Sequence, residues 1–578
     1  MRVKGGFGRR EKSEKNQSPL QLRQSLLALE SGLRPRERGG KLTVALIWPG
    51  SYHAGMSSLG YLWVYGYLNS RPDAMAERFF CSESELNRSV SLESGLEVGE
   101  FNVAAASMSV ENEYWRLLDI LWQSKIEVER VKRKSGPLIV AGGVGVWSNP
   151  WPLWQFVDLF VLGEGEAQWP SLVDCLISPM YLKADYLKRL ELIVERVSGA
   201  LAPALIENRP EELNLSNLYQ NIKVRPASLS YPYQSSLLPP VSPIITPKTE
   251  FSSSALVEIA RGCPWGCRFC LTGFLYRPYR PWSEESIIKA LEPWLKKGAK
   301  VGLVSPAVAE HKSLESIIDR LYELKIWVSL SSLRLSALSE NLARKMARGG
   351  LKALAVAPEA GSIRLRAAIN KNITEDEILS SARLLALSGL RRLKLYFMIG
   401  LPFESEEDLE QLWRLVARIK KETSLKGGGP LIVVSVANFT PKPHTPFEDE
   451  ALATEEEMRA KGTFLARGFK GLSGVELKLD PPKWSIVNAL LSRGGPLSGE
   501  LTRQLWLNQG KSGPALKAIG YAPTWPDHEK GALVKSWKIV AAPVGQTFLE
   551  VEKSKSAQYL NSSPCPASLN CLRCGAFG

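Results

Sequence analysis

No apolar run in this chain approaches the roughly 18 residues that a membrane span needs, so no membrane span is expected. The first sixteen residues are basic but lack the apolar core of a secretion signal. Cytoplasmic residence is therefore the expectation. Cysteine is scarce, eight in 578 residues, which excludes a disulfide-built scaffold. Six of those eight fall in two tight groups, a pattern that favours metal binding in a reducing compartment.

At 578 residues the chain exceeds a single core, and two or three domains are expected. Its apolar fraction, 44%, is ordinary for a globular protein. The net charge of +14 is uneven: residues 1–41 hold eleven Lys/Arg against four Asp/Glu, half of the total. Such an arm can contact nucleic acid, although nothing else in the sequence indicates a nucleic-acid partner.

The order of elements follows from periodicity. Ser18-Pro19 opens a helix with Leu22, Leu26, Leu29 and Leu33 on one face. Strands are expected at Leu42–Trp48, Glu100–Ala106, Pro137–Ala141 and Val157–Leu162, with helices from about Ser57 to Leu68, around Glu111–Trp122 and after Glu166. Alternation of this kind argues for a doubly wound parallel sheet. Residues 178–254 read as an irregular Pro/Ser-rich connector. Alternation resumes with strands at 255–260, 299–305, 326–331, 352–357, 392–399 and 431–437, separated by helices at 283–297, 313–324, 337–348, 374–388 and 405–421. The expected fold is α/β: a doubly wound sheet over 42–177 and a partial (β/α)6 barrel over 255–445. A basic arm and helix at 1–41 precede them, and a small mixed C-terminal extension at 446–578 follows. In both architectures ligands bind beyond the carboxyl ends of the strands.

The sharpest motif is RGCPWGCRFCLTGFLYRPYR, Arg261–Arg280, on a loop leaving the first barrel strand. Cys263, Cys267 and Cys270 are spaced C-x3-C-x2-C. A structural zinc closes with four protein ligands, whereas three thiolates on a cubane cluster leave one iron free for a small chelator. The aromatic Phe269 before the last cysteine completes a motif that resembles the signature of the radical S-adenosylmethionine superfamily. The resemblance implies a [4Fe-4S] cluster that binds S-adenosylmethionine, cleaves its sulfonium bond with one electron and generates a 5′-deoxyadenosyl radical. It also implies an electron donor such as flavodoxin or ferredoxin. Phe269, Glu359, Ser362, Ile399 and Gly400 would contact S-adenosylmethionine. The second barrel strand lacks the Gly-Gly-Glu of many members and offers only Ser305.

The first half resembles the cobalamin-binding domain fused ahead of many radical enzymes, on GMSSLGYLWVYGYL, SMS, the Gly142-Gly143 pair and LGEGE. By that resemblance Ser57, Ser58, Ser107, Ser109, Gly142, Gly143, Gly163 and Glu164 would pack against cobalamin. The D-x-H-x-x-G motif of cobalt-ligating histidines is absent, and the neighbours of His53 do not supply it.

Arg261, Arg268, Arg277 and Arg280 surround the cysteine motif and could tune a cluster or steer an anionic ligand. After the sixth strand, Lys442 and His444 in NFTPKPHTPF are the candidate catalytic groups. Cys565, Cys571 and Cys574 near the end suggest a second iron–sulfur cluster or a zinc site. The expected function is cobalamin-dependent radical chemistry that methylates or rearranges an unactivated carbon of unknown substrate. The alternatives are methylthiotransferase-like sulfur insertion using a C-terminal cluster, or a non-enzymatic nucleic-acid-binding protein.

Overall fold

A computed structural model describes residues 18–35, 37–81, 90–208, 224–228, 237–330, 334, 338–350, 352–424, 428–521, 535–566, 571 and 573–576. The basic arm at 1–17 lies outside them.

The first sheet has six strands: β1 (Leu42–Trp48), β2 (Ala74–Phe80), β3 (Val103–Ser107), β4 (Leu138–Gly142), β5 (Leu159–Val161) and β6 (Ala200–Leu201). Their order is β2-β1-β3-β4-β5-β6, parallel except for the antiparallel β6. One face is covered by α1 (Leu59–Ser70), α3 (Gly165–Leu176) and α4 (Tyr186–Arg196). The other is covered by α2 (Tyr114–Gln123) and by helices from the far end of the chain.

Two parts of this half depart from the sequence reading. Strand β2 is AMAERFF, whose central charges hide a strand signal. Arg78 is nevertheless 1% exposed, tied to Glu30 at 2.7 Å and to Glu93 at 2.6 Å. A buried charge is tolerated only when paired, and these partners lie far off in sequence. Residues 178–207, expected to be irregular, fold as Pro179–Lys183, α4, β6 and Pro203–Glu207. Here Ser178 and Asp185 cap two helices.

The second half contains β7 (Ser254–Glu258), β8 (Lys300–Val304), β9 (Val328–Leu330), β10 (Ala353–Glu359), β11 (Arg392–Ile399) and β12 (Leu431–Asn438). All ladders are parallel, in two groups, β9-β8-β7 and β10-β11-β12. Between them run α5 (Glu284–Leu295), α6 (Leu314–Glu323), α7 (Glu340–Arg348), α8 (Ile363–Ala368), α9 (Glu375–Leu387) and α10 (Glu406–Glu422). One apolar core fills the space between strands and helices. These are the six strand–helix steps of a partial barrel. A seventh strand, β13 (Val475–Leu479), extends β12 in parallel and was not expected. Its partly exposed, alternating VELKL carries a weak apolar signal.

The C-terminal helices α11 (Glu455–Gly468), α12 (Pro482–Arg493), α13 (Leu497–Leu507) and α14 (Gln546–Ala557) do not form a separate appended domain. Ile486, Leu491, Leu501 and Leu505 share one core with Ile47, Ala106 and Ala141 of the first sheet. The end of the chain thus clamps the beginning, burying apolar area that both would otherwise expose.

Candidate functional site

The cysteine loop is closed at its base. Ala260–Arg261 pairs antiparallel with Arg280–Pro281, so residues 262–279 form one excursion beyond β7. Gly262 has φ +76, and a Cβ there would lie 2.3 Å from the Tyr276 carbonyl. Only glycine fits this turn. Asn370 donates to the Gly266 carbonyl at 3.0 Å, and the Cys270 amide donates to the Cys267 carbonyl at 3.0 Å.

Cys263, Cys267 and Cys270 are free, half-buried thiols. Burial pushes the Cys263 thiol up to about 12, and the neighbouring Cys267 and Cys270 push in the same direction. Burial, then Cys267, also raises Cys270. Among the described residues no three His, Cys, Asp or Glu groups close around a single metal ion. The three thiols are close enough to feel each other's charge.

Lys371 stands beside them. Burial works against its charge, but Glu359 and then Cys267 outweigh burial and hold the ammonium. Its Nζ is 3.2 Å from Glu359 Oε1. Glu359 ends β10 with φ +68, a conformation rare for a side chain this large. Phe269 packs with Met398 against Leu365, Ile369, Leu401 and Phe439, forming an apolar wall next to the cysteines.

Other expected contacts are placed differently. Ser362 caps α8, accepting from the Leu365 amide at 3.0 Å, and its hydroxyl bonds to Asp408. It is a buried helix cap, not a free ligand contact. Ile399 points outward into the core under the helices; the alternation of β11 turns Met398 inward instead. Gly400 has φ +77 and donates its amide to Glu404 at 2.9 Å.

A cavity of about 470 Å³ joins the two halves. It is lined by Ser58, Ser107, Ser109, Gly142, Gly143, Gly163 and Glu164, seven of the eight residues singled out in the first half. The eighth, Ser57, lies outside: its hydroxyl donates to the His53 carbonyl at 2.6 Å and accepts from the Glu250 amide at 3.0 Å. Gly143 has φ +104, and a Cβ there would meet the Met108 carbonyl at 2.6 Å. Trp63, Val64 and Trp169 supply an apolar wall. The opposite wall is Arg261, Gly262, Thr272 and Tyr276, which flank the three cysteines, with Ser305 from the end of β8. The loop that carries the thiols is thus also one side of this cavity.

The four arginines around the motif do not face solvent; all are buried and hydrogen-bonded. Arg261 bonds Glu166 at 2.5 Å, Glu258 at 2.9 Å and Glu164 at 3.1 Å. Arg280 pairs with Glu164. These bridges join the first sheet to the barrel across the cavity rim, and Glu164 is therefore neutralised rather than free for a ligand. Arg268, fully buried, donates to the Ala368 carbonyl at 2.8 Å, to the Leu560 carbonyl at 2.7 Å and to Glu552 at 3.2 Å. Arg277 donates to the Gly273 carbonyl at 2.7 Å.

Lys442 and His444 do not line the cavity. Lys442 is ion-paired to Glu111 and bonded to Ser492 at 2.7 Å. His444 is 3% exposed, its Nε2 3.1 Å from the Ser148 carbonyl, and burial depresses its pKa. Both tie the loop after β12 to the first sheet.

The C-terminal cysteines come back to the same loop. The Cys565 amide donates to the Pro264 carbonyl at 2.6 Å, next to Cys263. Asn370 accepts from the Ser562 amide at 2.8 Å while holding Gly266. Cys574 is buried with Phe274 and Leu549.

Glu113, at the carboxyl edge of the first sheet, is a half-buried group the sequence did not flag. Its Oε2 has no hydrogen-bond partner, and burial, partly opposed by Arg116, pushes the carboxyl up to about 7. The folded chain keeps this proton between the ordinary value of 4.5 and about 7, while the unfolded chain releases it. Stability therefore falls as pH rises through that window and is flat above it. For this partly solvated group the loss is about 1–2 kcal/mol. Glu113→Gln is expected to raise the urea midpoint at pH 8 and to leave it unchanged at pH 4; an equal effect at both would contradict the assignment.

The sequence matches two family descriptions: "Radical SAM proteins, N-terminal" over residues 60–200, and "Radical SAM superfamily" over 257–416. Together they span just over half of the chain. An uncharacterized protein of Methanocaldococcus jannaschii is 28% identical over 458 residues, 78% of this chain and 88% of that protein. An uncharacterized methyltransferase of Pyrococcus horikoshii is 25% identical over 261 residues, 44% of this chain and 51% of that one. Among solved structures, the radical S-adenosylmethionine methyltransferase TsrM of Kitasatospora setae, with cobalamin and a [4Fe-4S] cluster bound, superposes with a TM-score of 0.47 at 12% identity, over 90% of this chain and 99% of that one. The cobalamin-dependent enzyme OxsB, with aqua-cobalamin and S-adenosylmethionine bound, gives 0.47 at 14% identity, over 89% and 72%. With the cysteine motif on the loop after the first barrel strand and both family descriptions matching in order along the sequence, this chain belongs to the radical SAM superfamily of enzymes.

Proposed function

We propose that the enzyme is a cobalamin-dependent radical SAM methyltransferase acting on an unactivated carbon. One observation carries this reading: the cavity of the first half and the cysteine loop share a wall, Arg261, Gly262, Thr272 and Tyr276. Anything held against the first sheet is then a neighbour of the thiols.

The donor set fits the implied groups. Cys263, Cys267 and Cys270 would hold a [4Fe-4S] cluster. Lys371 and Glu359 are the charged pair at hand for the carboxylate and amino group of S-adenosylmethionine, and Phe269 with Met398 is the apolar wall for its adenine. Gly142, Gly143 and Gly163 line the cavity with the hydroxyls of Ser58, Ser107 and Ser109, and glycine lets the chain there pass against the Met108 and Ala227 backbone. A flat group, apolar on its face and polar at its rim, matches that lining. Bound there, the cluster would supply one electron and cobalamin a transferable methyl group. The protein's share is to orient the two, to keep water from the thiol pocket and to hold the halves in register through Arg261 and Arg280. An external one-electron donor is required.

The test is a titration of the purified chain with hydroxocobalamin, followed by corrin absorbance and by quenching of Trp63 and Trp169. Saturable binding that Gly143→Leu abolishes is expected. Formation of 5′-deoxyadenosine by protein that never retains a corrin would leave radical chemistry without cobalamin, and sulfur insertion would then lead.

We further propose that Cys565, Cys571 and Cys574 hold a second cluster. Analysis of iron and acid-labile sulfide in the Cys263→Ala/Cys267→Ala/Cys270→Ala variant should find about half the parental content. Zinc in place of iron, or no metal at all, would remove the second cluster.

A further inference from the structure

The end of the barrel away from the cysteine loop contains a second cavity, of about 640 Å³. It opens at the seam between β9 and β10, which no ladder joins among the described residues. Lys300, Arg348, Lys352 and Lys394 line it against one carboxylate, Glu250. Lys300 begins β8, Lys352 precedes β10, and Lys394 is the third residue of β11, so the cations gather at the amino ends of parallel strands.

Lys394 is not an ordinary surface lysine. Its neighbours Leu393 and Leu395 are 0% and 1% exposed in the core beneath the helices, so strand alternation turns Lys394 into the barrel. Ala355 lies opposite it in register, and Gly302 opposite Ser329 on the far side of the seam. Ala355 and Ser329 line the cavity with Lys394, and Tyr396, two residues along the same face, remains 42% exposed. No ion pair among the described residues engages Lys300, Lys352 or Lys394. Arg348 makes only a contact over the Tyr322 ring, at 5.6 Å. Like charges gathered in a half-enclosed space repel one another, and a bound anion would relieve the repulsion. Trp327, 51% exposed at the rim, adds a flat surface beside them.

We propose that this end of the barrel binds a phosphate-bearing ligand, with its anionic group among Lys300, Lys352 and Lys394. The assignment is independent of any group bound at the cysteine loop. Phosphate fits because the three lysines line one cavity and each ammonium can donate to a different oxygen.

Calorimetric titration of the full chain with sodium pyrophosphate, and separately with adenosine diphosphate, tests it at low ionic strength. Saturable binding is expected, weakened at least about 10-fold in Lys352→Met/Lys394→Met and unchanged in Lys470→Met, an exposed lysine elsewhere. If adenosine diphosphate binds tighter and Trp327→Ala removes the difference, the ligand is a nucleotide; equal binding means the anion alone is recognised. Absence of saturable binding of either, or binding indifferent to the double substitution, overturns the proposal. Should the double variant unfold, acylation mass spectrometry on the parent decides instead. Pyrophosphate then shields Lys352 and Lys394 if the site exists, and leaves their labelling unchanged if it does not.

Discussion

Cys267→Ala, purified without oxygen, is expected to lose the cluster of the first loop and to release 5′-deoxyadenosine at least about a thousandfold more slowly than the parent. Two remaining thiols cannot retain a cubane that three hold, and no other His, Cys, Asp or Glu among the described residues completes a single-ion site there. The loss should be chemical rather than structural. The loop is pinned independently by Arg268 to Ala368 and Leu560, by Asn370 to Gly266 and by the pairing of Ala260–Arg261 with Arg280–Pro281. The variant should therefore unfold in urea as the parent apoprotein does. Charge-transfer absorbance and product chromatography read the first effect, and circular dichroism reads the second. Wild-type rates of 5′-deoxyadenosine release in this variant would remove the central assignment.

Glu164→Ala should destabilise the chain by about 3–5 kcal/mol, because it strips one partner from a buried ion network. Glu164 is 1% exposed and pairs with Arg280, itself 2% exposed, while Arg261 lies 3.1 Å away. Arg261 keeps Glu166 and Glu258. Removing both charges together, in Glu164→Leu/Arg280→Met, should recover most of the loss, since an apolar pair of similar volume carries no desolvation penalty. Urea unfolding of the apoproteins compares the three. A single variant within about 1 kcal/mol of the parent would mean that water already reaches the bridge. The same comparison separates stability from positioning: if the double variant folds but no longer takes up a corrin, the network's second role is to hold the cavity wall in place.

Strand alternation and cap residues made most of the barrel readable, because both are local. Thr374 and Ser405 start α9 and α10 with reciprocal capping bonds close to the expected residues. Strand β11 carries its period in RLKLYFMI, with Leu393, Leu395 and Phe397 buried in turn. Ile399 shows the limit of such reading. Its position next to Gly400 is plain from the sequence, but which way it points depends on register, and Met398 is the one that packs against the same cluster as Phe269. Lys442 and His444 were attractive because reactive side chains in a proline-rich loop suggest a site. Their burial against Glu111 and Ser148 depends on segments about 300 residues earlier in the chain.

By itself the sequence determined the chemistry available: three cysteines on one loop, a cradle of glycines and hydroxyls, and two alternating α/β halves in a set order. Each of these rests on spacing within a few residues, where covalent geometry leaves little freedom. Only the tertiary structure decided what those groups face. Arg280 meets Glu164 across 116 positions, the tail returns to Pro264, and the last helices share a core with the first sheet. Ion pairs and apolar surfaces carry no address in sequence. Their partners are chosen by which burial the whole chain can satisfy at once.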